Sequence, residues 1–366
     1  MSQSQDASAG LAAGEEGFAR QPVTDEQPVT IASPMTTTST SAPPDLRPAK
    51  ATARVPLYRF LTPRFWPVWL GVALVRLINL LPLPAQLAVG RALGRLAFVF
   101  ARRDRRIAAI NIALCLPELN TVQQRQLLKD HFGSLGCAVF ETGMVWWASA
   151  ARWRRLVQFE GVEHLRAALS IGRGALLLTA HFTTLEGGAR AATLLGPTSI
   201  MYLTPKNALI AELSRRGRAR HTVQAISSEQ ARDLLQNLKH NLPVWYAPDQ
   251  RFTDKSSALV PFFGHPAASN VATSRLARIS GAPVLAYFPV RRRDNRGYIV
   301  RIHPAFENFP SADPVADTRR FHELIEAQVR QHPEQYLWAY RRLRRPGYDP
   351  YGEPAAEPNP ASREQQ

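Results

Sequence analysis

The distribution of apolar and polar residues divides the chain into four segments. Residues 1–54 are rich in Ser, Thr, Pro, Ala and Gln without apolar periodicity, so we expect a disordered N-terminal extension. Residues 55–106 predict membrane-associated helices, residues 107–345 an α/β domain, and the polar residues 346–366 a disordered C-terminal tail. The first residues lack a basic stretch followed by an apolar one, so we expect no cleaved signal peptide.

Residues 55–106 combine two apolar helical patterns with arginine. Residues 68–81 are apolar except for Arg76 and Asn79, which share a helix face. A second pattern ends at Phe100, and a basic cluster follows that consists of Arg102, Arg103, Arg105 and Arg106. An arginine inside a short apolar segment is costly in lipid, so the pattern favours attachment to an anionic membrane surface and leaves spanning open. The alternative is two core helices whose arginines face water.

Strand patterns and helical patterns alternate after a long helical pattern between residues 116 and 148. The strand patterns are Ala175–Ala180, Thr198–Tyr202, Val244–Ala247, Ala282–Val290 and Tyr298–His303. The helical patterns include Gln230–His240, Ala272–Ile279 and Thr318–Gln331. This alternation predicts an α/β fold with a central mixed sheet flanked by helices.

His181 lies just after the first of these strands, where open α/β sheets place their ligands. Glu186 follows in the first turn of the predicted helix, close enough to contact the imidazole. A histidine supported by a carboxylate can act as a general base. The spacing of His181 and Glu186 alone is weak evidence, because chance predicts roughly one pair of a histidine and an acidic residue at this spacing in the chain. Thr183 and Glu186 also match a helix capping box, which needs no catalytic role.

Two further features are candidates for the site. Asp249 follows the strand Val244–Ala247 just as His181 follows its own strand, so it could orient a base or a substrate hydroxyl, or be a turn residue after Pro248. Arg218 belongs to the basic run of residues 215–220, which could bind a phosphate or carboxylate or could be a solvated helix face.

Composition narrows the possible partners. The formal charge of +16 over 366 residues favours an anionic partner such as a membrane surface, a phosphorylated lipid, an acidic protein or a nucleic acid. The two cysteines, Cys115 and Cys137, form no disulfide framework and no zinc-ligand cluster. We find no Walker-type glycine loop, so nucleotide chemistry has no support.

Nine segments, in order, resemble the late acyltransferases of lipid A biosynthesis, the bacterial lauroyl/myristoyl transferase family. The resemblance extends over about residues 58–345. The segments are Leu61–Gly71, Ile110–Glu118, Glu141–Met144, His181 with Glu186, Arg216–Arg218, Trp245–Asp249, Val260–Gly264, Ala272–Arg278 and Glu334–Trp338.

The resemblance implies a glycerolipid-acyltransferase-like fold and an enzyme on the cytoplasmic face of the inner membrane. Such an enzyme moves a fatty acyl chain from acyl carrier protein to a hydroxyl on a hydroxyacyl chain of an anionic lipid A precursor. Its catalytic residues map onto His181 and Glu186, and its substrate-binding or supporting residues onto Arg218 and Asp249. It implies no metal and no cofactor besides the carrier thioester, and no nucleic acid partner.

The chain departs from the family pattern in two places. It has Leu203-Thr204 before Pro205 where the family has arginine, and Arg251 where an acidic residue is common. Donor chain length and acceptor identity therefore stay open. The alternatives are an acyltransferase that acts on a lysophospholipid or another glycolipid, and a non-catalytic basic protein that binds membranes or nucleic acid.

Overall fold

A computed structural model describes residues 55–227 and 231–352. The predicted N-terminal extension lies outside these residues, as does the chain from residue 353 onward. The helices are α1 Trp66–Ile78, α2 Leu83–Phe100, α3 Arg102–Cys115, α4 Thr121–Trp147, α5 Ala150–Leu156, α6 Val162–Ser170, α7 Leu185–Ala192, α8 Ala208–Arg218, α9 Ala231–Lys239, α10 Ala272–Ser280 and α11 Pro314–Gln331. The strands are β1 Val157–Glu160, β2 Ala175–Leu178, β3 Ser199–Tyr202, β4 Gln224–Ser227, β5 Pro243–Tyr246, β6 Ser257–Phe262, β7 His265–Asn270, β8 Val284–Arg291 and β9 Tyr298–Ala305.

A seven-stranded mixed sheet in the order β1-β9-β8-β2-β5-β3-β4 confirms the predicted α/β class. Only the β8–β9 pair is antiparallel among these strands, and every other neighbouring pair is parallel. All five predicted strands are present. The strands β1 and β4 escaped prediction because two of the four residues in each are polar, whereas the equally short β2 and β5 are apolar throughout. The separate hairpin of β6 and β7 was also missed.

The strand β2 lies at the centre of the sheet, with all four side chains buried. Successive side chains of a strand point to opposite faces. Leu176 therefore joins one core cluster with Ile112 of α3 and Phe321 of α11. Leu177 joins a second cluster with Met144 of α4. The sheet thus has helices on both faces, and packing against these helices fixes the position of the central strand β2.

The helix α2 packs closely against α4, because Gly94 of α2 has no side chain to separate the two backbones. A Cβ on Gly94 would lie 2.0 Å from the carbonyl oxygen of Phe132, so only glycine allows this approach. The opposite side of α2 leaves Phe100 75% exposed. The preceding helix α1 buries no side chain and leaves Leu70 73% exposed. In residues 55–227 and 231–352, no helix is long and apolar enough to cross a membrane.

The two boundaries that the sequence predicts for the α/β domain do not coincide with ends of the fold in the described residues. The helix α3 starts at Arg102 and buries Ile107 and Ile112, so it crosses the expected boundary at residue 106. At the other end, the fold continues past residue 346 to a buried Tyr351. The hydroxyl of Tyr351 donates a hydrogen bond of 2.7 Å to the side-chain oxygen of Asn111, which ties this segment to α3.

Candidate active site

The neighbouring parallel strands β2 and β5 position the candidate site. Their last residues, Leu178 and Tyr246, are paired in the sheet. Because the strands are parallel, the residues that follow them lie at the same sheet edge. His181 follows β2 and Asp249 follows β5, so the fold brings together two residues that are 68 positions apart.

Asp249 holds both the backbone and the imidazole of His181. Its Oδ1 lies 2.5 Å from Nδ1 of the ring, and its Oδ2 accepts a bond of 2.9 Å from the backbone N–H of His181. The carboxylate is buried, whereas the histidine side chain is 19% exposed. Within the described part of the chain, Nε2 of His181 forms no hydrogen bond, so this nitrogen is available to accept a proton from a substrate.

The surroundings of Asp249 keep its carboxylate ionised. Burial by itself would raise its pKa, but the attraction of His181 and the hydrogen bonds from its ring and backbone outweigh burial, so the pKa lies below its ordinary value. An ionised carboxylate on Nδ1 fixes the tautomer with a free Nε2 and stabilises the imidazolium that forms when Nε2 takes a proton. The pair therefore has the geometry of a general base and its orienting carboxylate.

The imidazole thus has a different carboxylate partner from the one expected. Glu186 was expected to hold His181, but its carboxylate forms an ion pair with Arg218. The physical reason is the order of the strands: β5 lies beside β2 and delivers Asp249 directly to Nδ1, while Glu186 in the first turn of α7 pairs with Arg218. The capping-box alternative is also excluded, because no side chain caps α7.

Arg218 is an inward-facing residue of the site and not part of a solvated helix face. Its guanidinium donates to the carboxylate of Glu186 and lies 4.7 Å above the ring of Tyr202. The neighbouring Arg215 and Arg216 instead both pair with Glu212 of their own helix. The basic run predicted from the sequence therefore divides into a structural part and a part that reaches the site.

A buried polar network supports the loop that follows His181. Arg291 binds Glu141 through two bonds of 2.6 and 2.7 Å and donates at 3.0 Å to the hydroxyl of Ser134. That hydroxyl lies 2.7 Å from the hydroxyl of Thr183. The backbone N–H of Thr183 donates to the carbonyl of Gln335, whose side chain bonds the backbone of Arg291. This closed circuit fixes the chain two residues beyond the candidate base.

Sequence reasoning gave no role to the members of this network. A usable signal existed for Glu141, which lies in a strongly apolar stretch, whereas Arg291 begins the charged run of residues 291–294 and gave no such signal. A charge that the pattern predicts to be buried requires a partner of opposite charge. The hydroxyl of Tyr336, which lies 3.5 Å from Oδ2 of Asp249, carried no comparable signal.

Residues 55–227 and 231–352 contain no group of three or more His, Cys, Asp or Glu side chains that could hold a metal ion.

Comparison with known proteins assigns the family. Residues 57–345 match the model of the bacterial lipid A biosynthesis acyltransferases. The chain belongs to this family. The match includes the whole sheet and every residue of the candidate site, so the chain is an acyltransferase of lipid A biosynthesis.

Three relatives from Escherichia coli (strain K12) illustrate the similarity. A lipid A biosynthesis palmitoleoyltransferase is 35% identical over 289 residues, which cover 78% of this chain and 93% of the relative. A lipid A biosynthesis lauroyltransferase is 34% identical, with 78% and 93% covered. A lipid A biosynthesis myristoyltransferase is 25% identical, with 79% and 90% covered. The relatives thus differ in the acyl group they are named for.

Proposed function

We propose that this acyltransferase moves a fatty acyl chain from acyl carrier protein to a hydroxyl on a hydroxyacyl chain of a lipid A precursor. The observation that carries the proposal is the pair of His181 and Asp249, with Nε2 of the histidine free of intramolecular partners in the described part of the chain. The chain contains no Gly-x-Ser-x-Gly elbow, so the acceptor hydroxyl itself is the nucleophile and no acyl-enzyme forms.

In this mechanism, Nε2 of His181 takes the proton of the acceptor hydroxyl while that oxygen attacks the thioester carbonyl. The tetrahedral intermediate then collapses, the carbon–sulfur bond breaks, and the imidazolium returns its proton to the departing thiolate. Asp249 offsets the charge on the imidazolium throughout. General acid–base catalysis of this kind contributes on the order of 10² to 10⁴ in rate. The reaction needs no metal and no cofactor beyond the thioester.

Glu186 and Arg218 act on the substrate side of the site. A guanidinium that is paired with one carboxylate and stacked on Tyr202 has a fixed orientation and can present its remaining donors to an oxyanion. The pair therefore positions the substrate, while Asp249 orients the base. This division explains why the site contains two carboxylates.

The enzyme works at the cytoplasmic surface of the inner membrane. Support comes from the exposed apolar sides of α1 and α2, which include Leu70, Leu77 and Phe100. A groove of about 460 Å³ adjoins α2 and is lined by the apolar Phe98, Ala109 and Leu128 together with the basic Arg102, Arg105, Arg106, Arg125 and Lys129. Apolar side chains flanked by arginines suit the interface of an anionic membrane.

The test is acyl transfer by the purified full chain. The carrier-protein thioesters of palmitoleate, laurate and myristate are offered with a lipid A precursor and, in parallel, with a lysophospholipid. We expect the lipid A precursor to gain the mass of one acyl chain and the lysophospholipid to gain none. Transfer to the lysophospholipid alone would contradict the proposed acceptor. A thioester of the same fatty acid without the carrier protein tests the donor, and transfer from it at the same rate would contradict the proposed donor.

A further inference from the structure

Behind the pair of Glu186 and Arg218 lies a group of basic side chains that the acyl-transfer mechanism does not use. Arg190 is one helical turn beyond Glu186 on α7, and His221 follows α8 three residues after Arg218. The backbone N–H of His221 donates at 2.9 Å to the carbonyl of Arg218. We call Arg190, Arg218 and His221 the α7–α8 basic cluster.

The cluster carries buried donors without partners. Among the described residues, nothing accepts a hydrogen bond from Nε or Nη2 of Arg190 or from Nη1 of Arg218, and Nε2 of His221 has no partner. Arg190 is 5% exposed, and its single side-chain bond, from Nη1 to the hydroxyl of Thr193, leaves its charge uncompensated. A buried cation without a counter-ion is strongly unfavourable, so a folded protein is expected to supply one.

No carboxylate in the described part of the chain supplies it. Among the described residues, Glu186 forms an ion pair with Arg218 and with no other basic side chain. The neighbours of Arg190 are themselves cations: repulsion from Arg154 adds to burial in lowering the pKa of Arg190 to about 10. Burial, and then repulsion from Arg190 and Arg220, lowers the pKa of His221 to about 4. The local excess of positive charge is a property of the fold.

A phosphate group matches this arrangement better than a carboxylate does. Two guanidinium groups and an imidazole offer several donors that lack acceptors among the described residues, and a phosphate presents three or more acceptor oxygens with up to two negative charges. We propose that the α7–α8 basic cluster binds a phosphate group of a substrate, one helical turn behind the acyl-transfer site. Assigning the phosphate to a substrate rests on the function proposed above.

Two substrates of the proposed reaction carry a phosphate. One is the lipid acceptor, and the other is the acyl carrier protein, whose acyl-bearing arm is attached through a phosphodiester. Binding of either would let Arg218 bridge Glu186 and the phosphate. The ion pair would thereby link substrate binding to the loop that carries His181.

The first experiment measures thermal unfolding of the purified full chain with inorganic phosphate against sodium chloride at matched ionic strength. For the wild type, saturating phosphate should raise Tm by on the order of 2–4 °C. Arg190→Met keeps the length of the side chain and removes the charge. Because it removes an uncompensated buried cation, it should unfold at or above the wild-type Tm without phosphate and lose the phosphate shift. The exposed Arg166→Gln on α6 is the control and should behave like the wild type.

Equal phosphate shifts in Arg190→Met and the wild type would overturn the proposal. If Arg190→Met does not fold, Arg190→Lys retains the charge but not the fork of donors. The phosphate concentration that gives half the shift should then rise about tenfold, and an unchanged value would overturn the proposal. These readings require no turnover, so their failure is distinct from a failure of the proposed acyl transfer.

Kinetics then identify which substrate brings the phosphate. In Arg190→Lys, a rise in KM of about tenfold for the lipid acceptor alone would assign the lipid phosphate. The same rise for the carrier protein alone would assign the phosphate of its acyl-bearing arm. Unchanged KM values for both substrates would contradict the assignment to a substrate.

Discussion

At the scale of single residues, two carboxylates lie near His181 and their neighbours distinguish them. Asp249 is buried and receives both the ring and the backbone hydrogen bond of the histidine. Glu186 is 27% exposed and neutralises Arg218. A carboxylate that is fully engaged by the base orients it, whereas one that is engaged by an arginine positions that arginine.

The two substitutions that preserve shape should therefore have different kinetic effects. Asp249→Asn removes the charge that fixes the tautomer of His181, so we expect kcat to fall by about 10² to 10⁴ with little change in KM. Glu186→Gln weakens the hold on Arg218 and should mainly raise KM. Steady-state kinetics of both variants test this. A larger loss of kcat in Glu186→Gln than in Asp249→Asn would return the orienting role to Glu186.

The sequence places His181 and Asp249 correctly, because each follows a short apolar strand pattern. It does not indicate that they touch, since the adjacency of β2 and β5 depends on strand order and these strands are separated by β3 and β4 in the chain. The spacing of His181 and Glu186 is visible in the sequence but misleading, because two residues that are close along the chain need not have side chains in contact. The carboxylate of Glu186 pairs with Arg218 and not with the imidazole.

At the scale of secondary-structure elements, α1 and α2 have an unusual distribution of side chains. On α1, Leu70 and Leu77 are 73% and 63% exposed and lie on one face at a separation of seven residues. A water-soluble helix normally buries such a stripe against the protein. The stripe of α1, together with the exposed end of α2 at Phe100, supports the proposed membrane attachment.

The double variant Leu70→Glu, Leu77→Glu should lose binding to vesicles that contain anionic lipid, because two charges on the stripe oppose burial in the interface. Flotation with vesicles measures the bound fraction. The control is Ile171→Glu, since Ile171 is 61% exposed but lies after α6. Equal flotation of the double variant and this control would contradict attachment through α1.

The sequence identified the elements with a sustained or strongly apolar pattern and missed strands that mix polar and apolar residues. The helix α4 and strands such as β8 show a sustained pattern, whereas β1 and β4 each contain two polar residues among four. The link between α4 and β8 through Glu141 and Arg291 could not be derived, because a buried charge predicts that a partner exists but does not identify it.

At the scale of the whole molecule, two buried histidines make the fold sensitive to acid. His131 on α4 is buried, and burial lowers its pKa to about 4. Burial, and then repulsion from Arg342, lowers the pKa of His322 on α11 to about 3. Both rings are neutral in the folded protein at pH values where a histidine of the unfolded chain, with a pKa of about 6.5, is protonated.

Between about pH 6.5 and pH 4 the unfolded chain therefore binds more protons, so stability falls as the pH falls. Each of these histidines contributes a slope of up to about 1.4 kcal/mol per pH unit in this window. Urea unfolding at several pH values measures the slope. His131→Gln should reduce it by the share of one histidine, and an unchanged slope in this variant would contradict the assignment.

The same scale includes the surface charge. The net charge of +16 suits an enzyme whose proposed substrates are an acidic carrier protein and a phosphorylated lipid. The charge is organised in distinct places, such as the groove beside α2 and the cluster between α7 and α8. The positive charge therefore contributes to two separate parts of the proposed function, membrane attachment and substrate binding.

The most direct test of the central claim is mass spectrometry of lipid A from cells that lack their own late acyltransferase. The cells carry either this protein or its His181→Ala variant, with the amount of each protein in the membrane fraction measured. We expect the wild type alone to add the mass of one acyl chain to lipid A. An equal gain with His181→Ala would contradict the role of the base, and no gain with abundant wild-type protein would contradict the proposed acceptor.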